Sequence, residues 1–193
     1  GPGAGINCPD LALSCWHGTH VAGIAAGNTG VLSASAGGIA PDAGIIPIQV
    51  FQRDCSSSNC VILAFESDLV SALEYVYSLR ESYNIASVNM SLGGGLYTAT
   101  CDSDAPVMAS VIGSLQSAGI ATVIASGNNG NANAISFPGC ISSAISVGST
   151  TKSNTISSFS NSANLLSLLA PGSSIVSSVP GGGFGTASGT SMA

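Results

Sequence analysis

The sequence predicts an α/β fold, a three-layer domain with a mostly parallel, twisted sheet and helices on both faces. Two observations support this prediction. Short apolar or β-branched runs alternate with helical patterns along the chain. This alternating order of strands and helices is typical of the βαβ units that form a parallel sheet. The run Ile120–Ala125 is apolar at all but one position, as expected of a strand that is covered on both of its faces.

The predicted elements follow one another in a regular order. A helix of small residues begins at His17, and strands and helices then alternate. Leu69, Leu73 and Val76 recur at intervals of three or four, which indicates a helix with one apolar face. The alternating segments are strands over 45–51, 87–92, 120–125, 144–149 and 165–169, and helices over 61–81 and 105–118. In such a sheet, ligands bind beyond the carboxyl ends of the strands.

The composition limits the classes of function. The chain has 193 residues, 45% of them hydrophobic, which is enough for one domain with its own core. Only three basic residues stand against nine acidic ones, so no patch of Lys and Arg exists that would neutralise a run of phosphates. The apolar stretches are far shorter than the roughly 20 residues of a membrane-spanning helix. We therefore expect neither a nucleic acid nor a membrane as a partner.

Six cysteines, an even number, predict disulfides rather than a zinc site, because none of them has the Cys-x-x-Cys spacing. Six cysteines allow 15 connectivities. The pairing that the short spacings favour is Cys8–Cys15, Cys55–Cys60 and Cys101–Cys140. Because disulfides persist in oxidising compartments, we expect a secreted protein.

Two histidines stand three residues apart in the segment His17-Gly-Thr-His20-Val-Ala-Gly23. Histidines at this spacing can ligate zinc, but the third ligand of a helical zinc motif is missing, and we expect no metal here. A structural pair is another interpretation. A general base is favoured, because Gly189-Thr-Ser191-Met-Ala193 supplies a serine hydroxyl elsewhere in the chain.

The segment around Ser191 predicts a nucleophile at the start of a helix, where backbone N–H groups point towards incoming negative charge. It lacks the final glycine of the esterase nucleophile elbow, which weakens an α/β-hydrolase interpretation. A third segment, Ser126-Gly-Asn128-Asn-Gly130, directly follows the apolar strand. Taken alone, its Asn-Gly pair is equally consistent with a plain turn.

Together, the three segments resemble the subtilisin-like serine peptidases (subtilases) in order and in context, from about residue 16 to the end of the chain. Other stretches look like landmarks of the same family, namely 38–41, 89–93, Phe137-Pro138 and 170–172. The resemblance implies a subtilisin-like fold and a secreted, monomeric serine endopeptidase that acts on protein or peptide substrates. It implies no cofactor, although a structural calcium ion is conceivable at Asp42 or at Asp102 and Asp104.

The resemblance assigns roles to the residues of the three segments. His17 is implied to be the general base, which takes the proton from Ser191 and later gives it to the leaving amine. Ser191 is implied to be the nucleophile. The side-chain amide of Asn128 is implied to hold the tetrahedral oxyanion together with the backbone N–H of Ser191. His20 resembles the family's second, structural histidine.

The resemblance also implies where a substrate binds. Two segments resemble those that flank the substrate backbone as added strands, and a serine lies at the floor of the primary specificity pocket. The residues concerned are Ser91, Leu92, Gly93, Ala125, Ser126, Gly127 and Ser136. Because this floor is small and neutral, we expect a preference for uncharged, largely apolar side chains. The bond between Phe137 and Pro138 is expected to be cis, as in the family.

The chain departs from the family pattern at the third member of the triad. The family's aspartate precedes the histidine, ends a strand and is followed by Thr-Gly or Ser-Gly. Asp10 is the sole acid before His17, and it lacks that context. We therefore expect residues 1–193 to be a partial peptidase domain that lacks the aspartate-bearing segment and the helix that follows the serine, and to be unstable or inactive when expressed alone. The alternatives are a catalytically inactive binding protein of the same fold and, less favoured, an esterase.

Overall fold

A computed structural model of the protein describes residues 15–28, 37–54 and 61–193. The chain divides into two compact units. The smaller unit comprises the described part of Gly1–Ala72 together with Val176–Thr186, and the larger unit comprises Leu73–Ile175 together with Ala187–Ala193. Each unit is described by itself below.

The described residues form helices and strands in the following order. The helices are α1 (His17–Ala26), α2 (Glu66–Leu79) and α3 (Pro106–Ser117), and Thr190–Met192 forms a single 3₁₀ turn. The strands are β1 (Phe51–Asp54), β2 (Val61–Ala64), β3 (Ser87–Met90), β4 (Gly94–Tyr97), β5 (Ala121–Ala125), β6 (Ile135–Phe137), β7 (Ile145–Thr150), β8 (Leu168–Pro171), β9 (Ile175–Ser178) and β10 (Phe184–Ala187).

A parallel sheet forms the centre of the larger unit. Its four strands lie in the order β3-β5-β7-β8, and every neighbouring pair is parallel. Each pair is joined by a crossover rather than by a tight turn, as parallel pairing requires. The parallel sheet and its helices confirm the predicted three-layer α/β class.

Helices α2 and α3 each present one apolar face. Met108, Ile112 and Leu115 of α3 are fully buried at 0% exposure, and α3 contacts β5. On α2, Leu69, Leu73 and Val76 are buried, as their spacing predicts. Burying each such side chain contributes roughly 1.5–3 kcal/mol to folding.

The strand predicted over 87–92 ends at Met90, and three other predicted elements begin three or more residues too early. Residues 45–50 form no strand, and the strand begins only at Phe51. Pro47 lies in that segment and has no N–H to give to a ladder. The helix predicted over 61–81 starts at Glu66, because the β-branched and apolar residues before it form β2, which pairs antiparallel with β1. The last predicted strand, 165–169, is shifted to Leu168–Pro171.

Besides β2, four strands were not predicted. They are β4, β6, β9 and β10, which form two separate two-stranded pairs. The pair β4 and β6 is antiparallel, with Gly94 opposite Phe137 and Tyr97 opposite Ile135. Strands of three or four residues that contain Gly and Ser are too short to show the alternation of apolar and polar residues by which a strand is predicted.

One of the three predicted disulfides lies wholly within the described residues, and it is confirmed. Cys101 is bonded to Cys140, with 5.4 Å between their Cα atoms. Cys15 is also disulfide-bonded, whereas Cys8, Cys55 and Cys60 lie outside the described residues. The bond between Phe137 and Pro138 is cis, as expected. Within residues 15–28, 37–54 and 61–193, no helix is long and apolar enough to cross a membrane.

Candidate active site

A cleft of about 610 Å³ lies in the larger unit beyond the carboxyl ends of β3 and β5. This is the edge of a parallel sheet at which ligands are expected. Within residues 15–28, 37–54 and 61–193, no charged side chain lines the cleft. Its lining consists of Ser91, Leu92, Gly93, Gly94, Gly95, Leu96, Ala125, Gly127, Asn128, Asn129, Ser136, Thr190 and Ser191.

Ser191 lies on the short 3₁₀ turn of Thr190–Met192. Its hydroxyl donates a hydrogen bond to the backbone carbonyl of Ser91 at 3.3 Å. The hydroxyl of Ser91 in turn donates to the carbonyl of Ser191 at 3.1 Å. The two segments that border the cleft are therefore joined directly beside the Ser191 hydroxyl. Over the residues present, the helix predicted at Ser191 is this single turn.

The side-chain amide of Asn128 has a fixed orientation. Its Oδ1 accepts a hydrogen bond from the backbone N–H of Thr190 at 2.8 Å and another from the Thr190 hydroxyl at 3.0 Å. A backbone N–H can bond only to the oxygen end of an amide, so the nitrogen end must point the other way. Nδ2 is thus the end of the amide that is not bonded to Thr190, and Asn128 and Ser191 both line the cavity.

Gly127 occupies a position that requires glycine. Its φ of +102° lies in a region that other residues rarely adopt. A Cβ atom there would collide with the hydroxyl of Ser136 and the side-chain nitrogen of Asn161. The backbone N–H of Gly127 donates to the Thr190 hydroxyl at 3.2 Å. The residue before Asn128 is therefore packed between the cleft floor and the turn that carries Ser191.

Six of the seven predicted substrate-binding residues line the cleft. The seventh, Ser126, is fully buried. Its hydroxyl donates to the carbonyl of Asn161 at 2.9 Å, and its own N–H donates to the carbonyl of Val147 at 2.9 Å. Ser136, predicted at the floor, lines the cleft with only 3% exposure.

The sequence reasoning missed several residues of this site. Thr190 is adjacent to Ser191, but nothing in Gly-Thr-Ser shows that the threonine orients Asn128. Gly94, Gly95 and Leu96 extend one wall along β4, a strand that was not predicted. Asn161 is buried beneath the wall, and its neighbourhood reads in the sequence only as a Ser/Asn-rich connection.

His17 belongs to the smaller unit, where it is the first residue of α1. Burial lowers its pKa from the ordinary value of 6.5, and the nearby His20 lowers this pKa further. The imidazole of His17 therefore stays neutral, and able to accept a proton, at a lower pH than an exposed histidine. The ring of Trp16 packs edge-on against both histidines, with its centroid 6.1 Å from that of His17 and 5.6 Å from that of His20.

His20 is fully buried in the same unit. Its Nε2 lies 3.1 Å from the carbonyl of Gly185, so Nε2 carries the proton and donates. Its own carbonyl accepts a hydrogen bond from the Ser177 hydroxyl at 2.7 Å. These contacts tie α1 to β9 and to β10, which is the kind of contact that a structural histidine makes.

The acids considered for calcium do not form a cluster in the described residues. No group of three His, Cys, Asp or Glu side chains in that part of the chain could hold a metal ion. The carboxylate of Asp102 instead accepts hydrogen bonds from the backbone N–H of Ser142 at 3.2 Å and from its hydroxyl at 2.6 Å. Asp10, the weak substitute for the triad aspartate, lies outside the described residues.

Comparison with known protein families identifies the chain. A family model described as Peptidase S8, Subtilase family, matches residues 9–193. The chain belongs to the subtilase family. This membership agrees with the order of the histidine, asparagine and serine segments and with the parallel sheet.

Individual subtilases show the same relationship. The chain is 36% identical over 183 residues to subtilisin E of Bacillus subtilis (strain 168). It is 35% identical over 183 residues to the alkaline proteinase of Hapsidospora chrysogena and 34% identical over 184 residues to the intracellular serine protease of Paenibacillus polymyxa. Each alignment covers 92% of this chain but only 42%, 40% and 49% of the respective relative. The chain thus spans less than half of the length of these relatives.

Solved structures agree in fold. A cold-adapted subtilisin-like serine proteinase aligns with a TM-score of 0.69 at 34% identity, covering 92% of this chain and 56% of the other. The prenylagaramide maturation protease PagA aligns with a TM-score of 0.75 at 27% identity, covering 92% and 59%.

Proposed function

We propose that this subtilase is a secreted serine endopeptidase that hydrolyses peptide bonds through an acyl-enzyme on Ser191. The observation that carries the proposal is the arrangement in the cleft, where the Ser191 hydroxyl and the oriented Asn128 amide share one cavity with two backbone walls. The relatives named as serine proteases and proteinases support it. Secretion is supported by the Cys101–Cys140 disulfide and by a relative from Thermus sp. named an extracellular serine proteinase.

In the proposed reaction, Ser191 Oγ attacks the carbonyl carbon of the scissile peptide while His17 takes the hydroxyl proton. The hydroxyl first has to leave its bond to the carbonyl of Ser91. The negative charge that develops on the peptide oxygen is held by Asn128 Nδ2 and by the backbone N–H of Ser191. The protonated His17 then gives the proton to the leaving amine. A water molecule next takes the place of the amine, and proton transfer through His17 in the opposite direction releases the acyl group from Ser191.

The cleft supports a proposal about substrate class. The described residues of its lining include no charged group, and residues 91–96 supply a glycine-rich edge along which an extended peptide can add as a strand. A side chain that enters towards the small hydroxyl of Ser136 meets no counter-charge. We propose protein or peptide substrates with uncharged, largely apolar side chains at the primary position. A peptide panel that is cleaved only after Lys or Arg would contradict this specificity.

The mechanism also calls for a carboxylate that orients His17. Burial and His20 lower the pKa of His17, whereas a neighbouring carboxylate would raise this pKa. We propose that the orienting carboxylate comes from residues outside the described ranges. It would hold the imidazole in the tautomer that accepts the proton of Ser191.

Labelling of the full-length protein with a fluorophosphonate probe tests the proposal. The probe is expected to modify Ser191, as located by mass spectrometry, and the variant His17→Ala is expected to abolish the modification. Ser188→Ala is the matched control, because Ser188 is an exposed serine three positions away whose hydroxyl only accepts a bond from Ser174. Correctly folded protein that is not labelled would favour a catalytically inactive subtilase that binds peptides.

A further inference from the structure

Asn161 is a buried residue whose hydrogen bonds converge on one loop. It is 0% exposed and lies in the connection between β7 and β8. Its Oδ1 accepts from the backbone N–H of Asn129 at 3.0 Å and of Asn131 at 3.1 Å. Its Nδ2 lies 3.1 Å from the carbonyl of Ser126 and 3.4 Å from the hydroxyl of Ser136. These partners are the loop that carries Asn128 and the floor of the cleft.

The backbone of Asn161 is tied to the same loop. Its N–H donates to the carbonyl of Gly127 at 2.9 Å, and its carbonyl accepts from the Ser126 hydroxyl. Residues on both sides of Asn128, namely Gly127 and Asn129, are therefore bonded directly to Asn161. Asn128 itself is exposed. One buried residue, Asn161, thus bonds to the loop on both sides of the oxyanion amide.

Thr190 and Asn161 hold different parts of Asn128. Thr190 bonds to the oxygen end of the Asn128 amide. Asn161 makes no bond to the Asn128 side chain among the described contacts, but it holds the backbone on either side of it. Thr190 also accepts from the backbone N–H of Gly127, but among the described contacts only Asn161 bonds to the backbone on both sides of Asn128.

We infer that Asn161 is a positioning residue for the oxyanion hole, acting through the backbone that carries Asn128. The inference rests on the proposed function, because it gives Asn161 a role only if Asn128 stabilises an oxyanion. A displacement of about 1 Å at a catalytic group can cost up to roughly 10²-fold in rate. Asn161→Ala is therefore expected to lower kcat by about 10- to 100-fold on a peptide amide substrate, with a much smaller change in KM.

The test is a double-mutant cycle between Asn161 and Asn128 in the full-length protein. The variants are Asn161→Ala, Asn128→Ala and the double variant, each assayed for kcat and KM. If Asn161 acts through Asn128, the kcat of the double variant falls within about 3-fold of that of Asn128→Ala alone, because residues that act as a unit are not additive. If Asn161 affects kcat by a route that is independent of Asn128, the two losses multiply, and the inference is overturned.

Ser146→Ala is the matched control for lost stability. Ser146 is a buried serine of β7 whose hydroxyl contacts Ser167 and the carbonyl of Leu165, away from the loop of residues 126–131. It is expected to reduce stability while leaving kcat within about 2-fold.

If Asn161→Ala does not fold, the milder variant Asn161→Ser tests whether Asn161 positions Asn128. Its hydroxyl is too short to bond both Asn129 and Asn131, so an intermediate loss of kcat is expected, again absent in the Asn128→Ala background. An active parent protein in which every folded Asn161 variant keeps its kcat within 2-fold would overturn the inference but not the proposed function. A parent that is not labelled at Ser191 would overturn the proposed function itself.

Discussion

Replacing Gly127 by alanine tests whether the wall beneath the oxyanion loop is rigid. Two costs add at this position. A non-glycine residue at a φ of +102° is strained by about 1–3 kcal/mol. The new methyl group also collides with the hydroxyl of Ser136 and the side-chain nitrogen of Asn161, both of which belong to buried residues.

The collision can be relieved only by moving Asn161 or Ser136. Moving Asn161 leaves a buried donor without its partner, which costs about 1–3 kcal/mol. The expected loss in the free energy of unfolding is therefore about 2–6 kcal/mol, together with a fall in kcat because Asn128 is the next residue. Denaturant unfolding followed by fluorescence, in a Ser191→Ala background that cannot digest itself, measures the first quantity.

Gly119→Ala separates the two costs. Gly119 also has a positive φ of +78°, but a Cβ atom there meets nothing within 4 Å, so only the backbone strain of about 1–3 kcal/mol applies. Gly44→Ala has neither cost, since its added Cβ is also unobstructed and its φ is not positive. If Gly127→Ala loses no more stability than Gly119→Ala, the packing of Asn161 and Ser136 does not constrain the loop and the reasoning is refuted.

Three further predictions concern the site and its support. Asn128→Ala should lower kcat about 10²- to 10³-fold with little change in KM, a magnitude carried over from subtilisin itself, and steady-state kinetics on a peptide amide check it. Because the pKa of His17 is lowered, kcat/KM should begin to fall only at a pH below 6.5, the ordinary pKa of histidine. The variant His20→Gln should move this acidic fall in kcat/KM to higher pH. The free energy of unfolding should decline from about pH 6.5 downwards, since His17 takes up its proton in the unfolded chain first. If His20→Gln leaves the acidic fall in kcat/KM at the same pH, His20 does not lower the pKa of His17. Replacing Cys101 and Cys140 by serine opens a link across 39 residues and should cost about 2–4 kcal/mol in denaturant unfolding.

The sequence allowed the parallel sheet and the active-site segments to be predicted for identifiable reasons. Strand β5 is apolar on both faces, which is the signature of a covered parallel strand. The motif around Asn128 follows it directly, so its place at the carboxyl edge of the sheet could be anticipated. The hydrophobic spacing of Leu69, Leu73 and Val76 likewise predicted one buried face of α2, which the structure confirms.

The remaining features escaped prediction because they depend on contacts between distant segments. Strands β4 and β6 are short and pair across about 40 positions of the chain. Neither shows the alternation of apolar and polar residues that identifies a strand in a sequence. Asn161 gives no local signal either, since a single asparagine among serines is equally typical of an exposed connection. Only its complete burial and its bonds to residues 126–131 distinguish it.

The composition and the cleft are two aspects of the same chemistry. Charged residues make up only 6% of the chain, and none of those that the structure describes lines the cleft. Among the described residues that line the cleft, the groups able to stabilise negative charge are dipoles, either backbone N–H groups or an amide such as that of Asn128. A dipole stabilises a transition state only if it is already oriented, because reorienting it would cost the energy that it supplies. Under the proposed function, the bonds of Asn128, an exposed side chain, to Thr190 and of its neighbours to Asn161 meet this requirement.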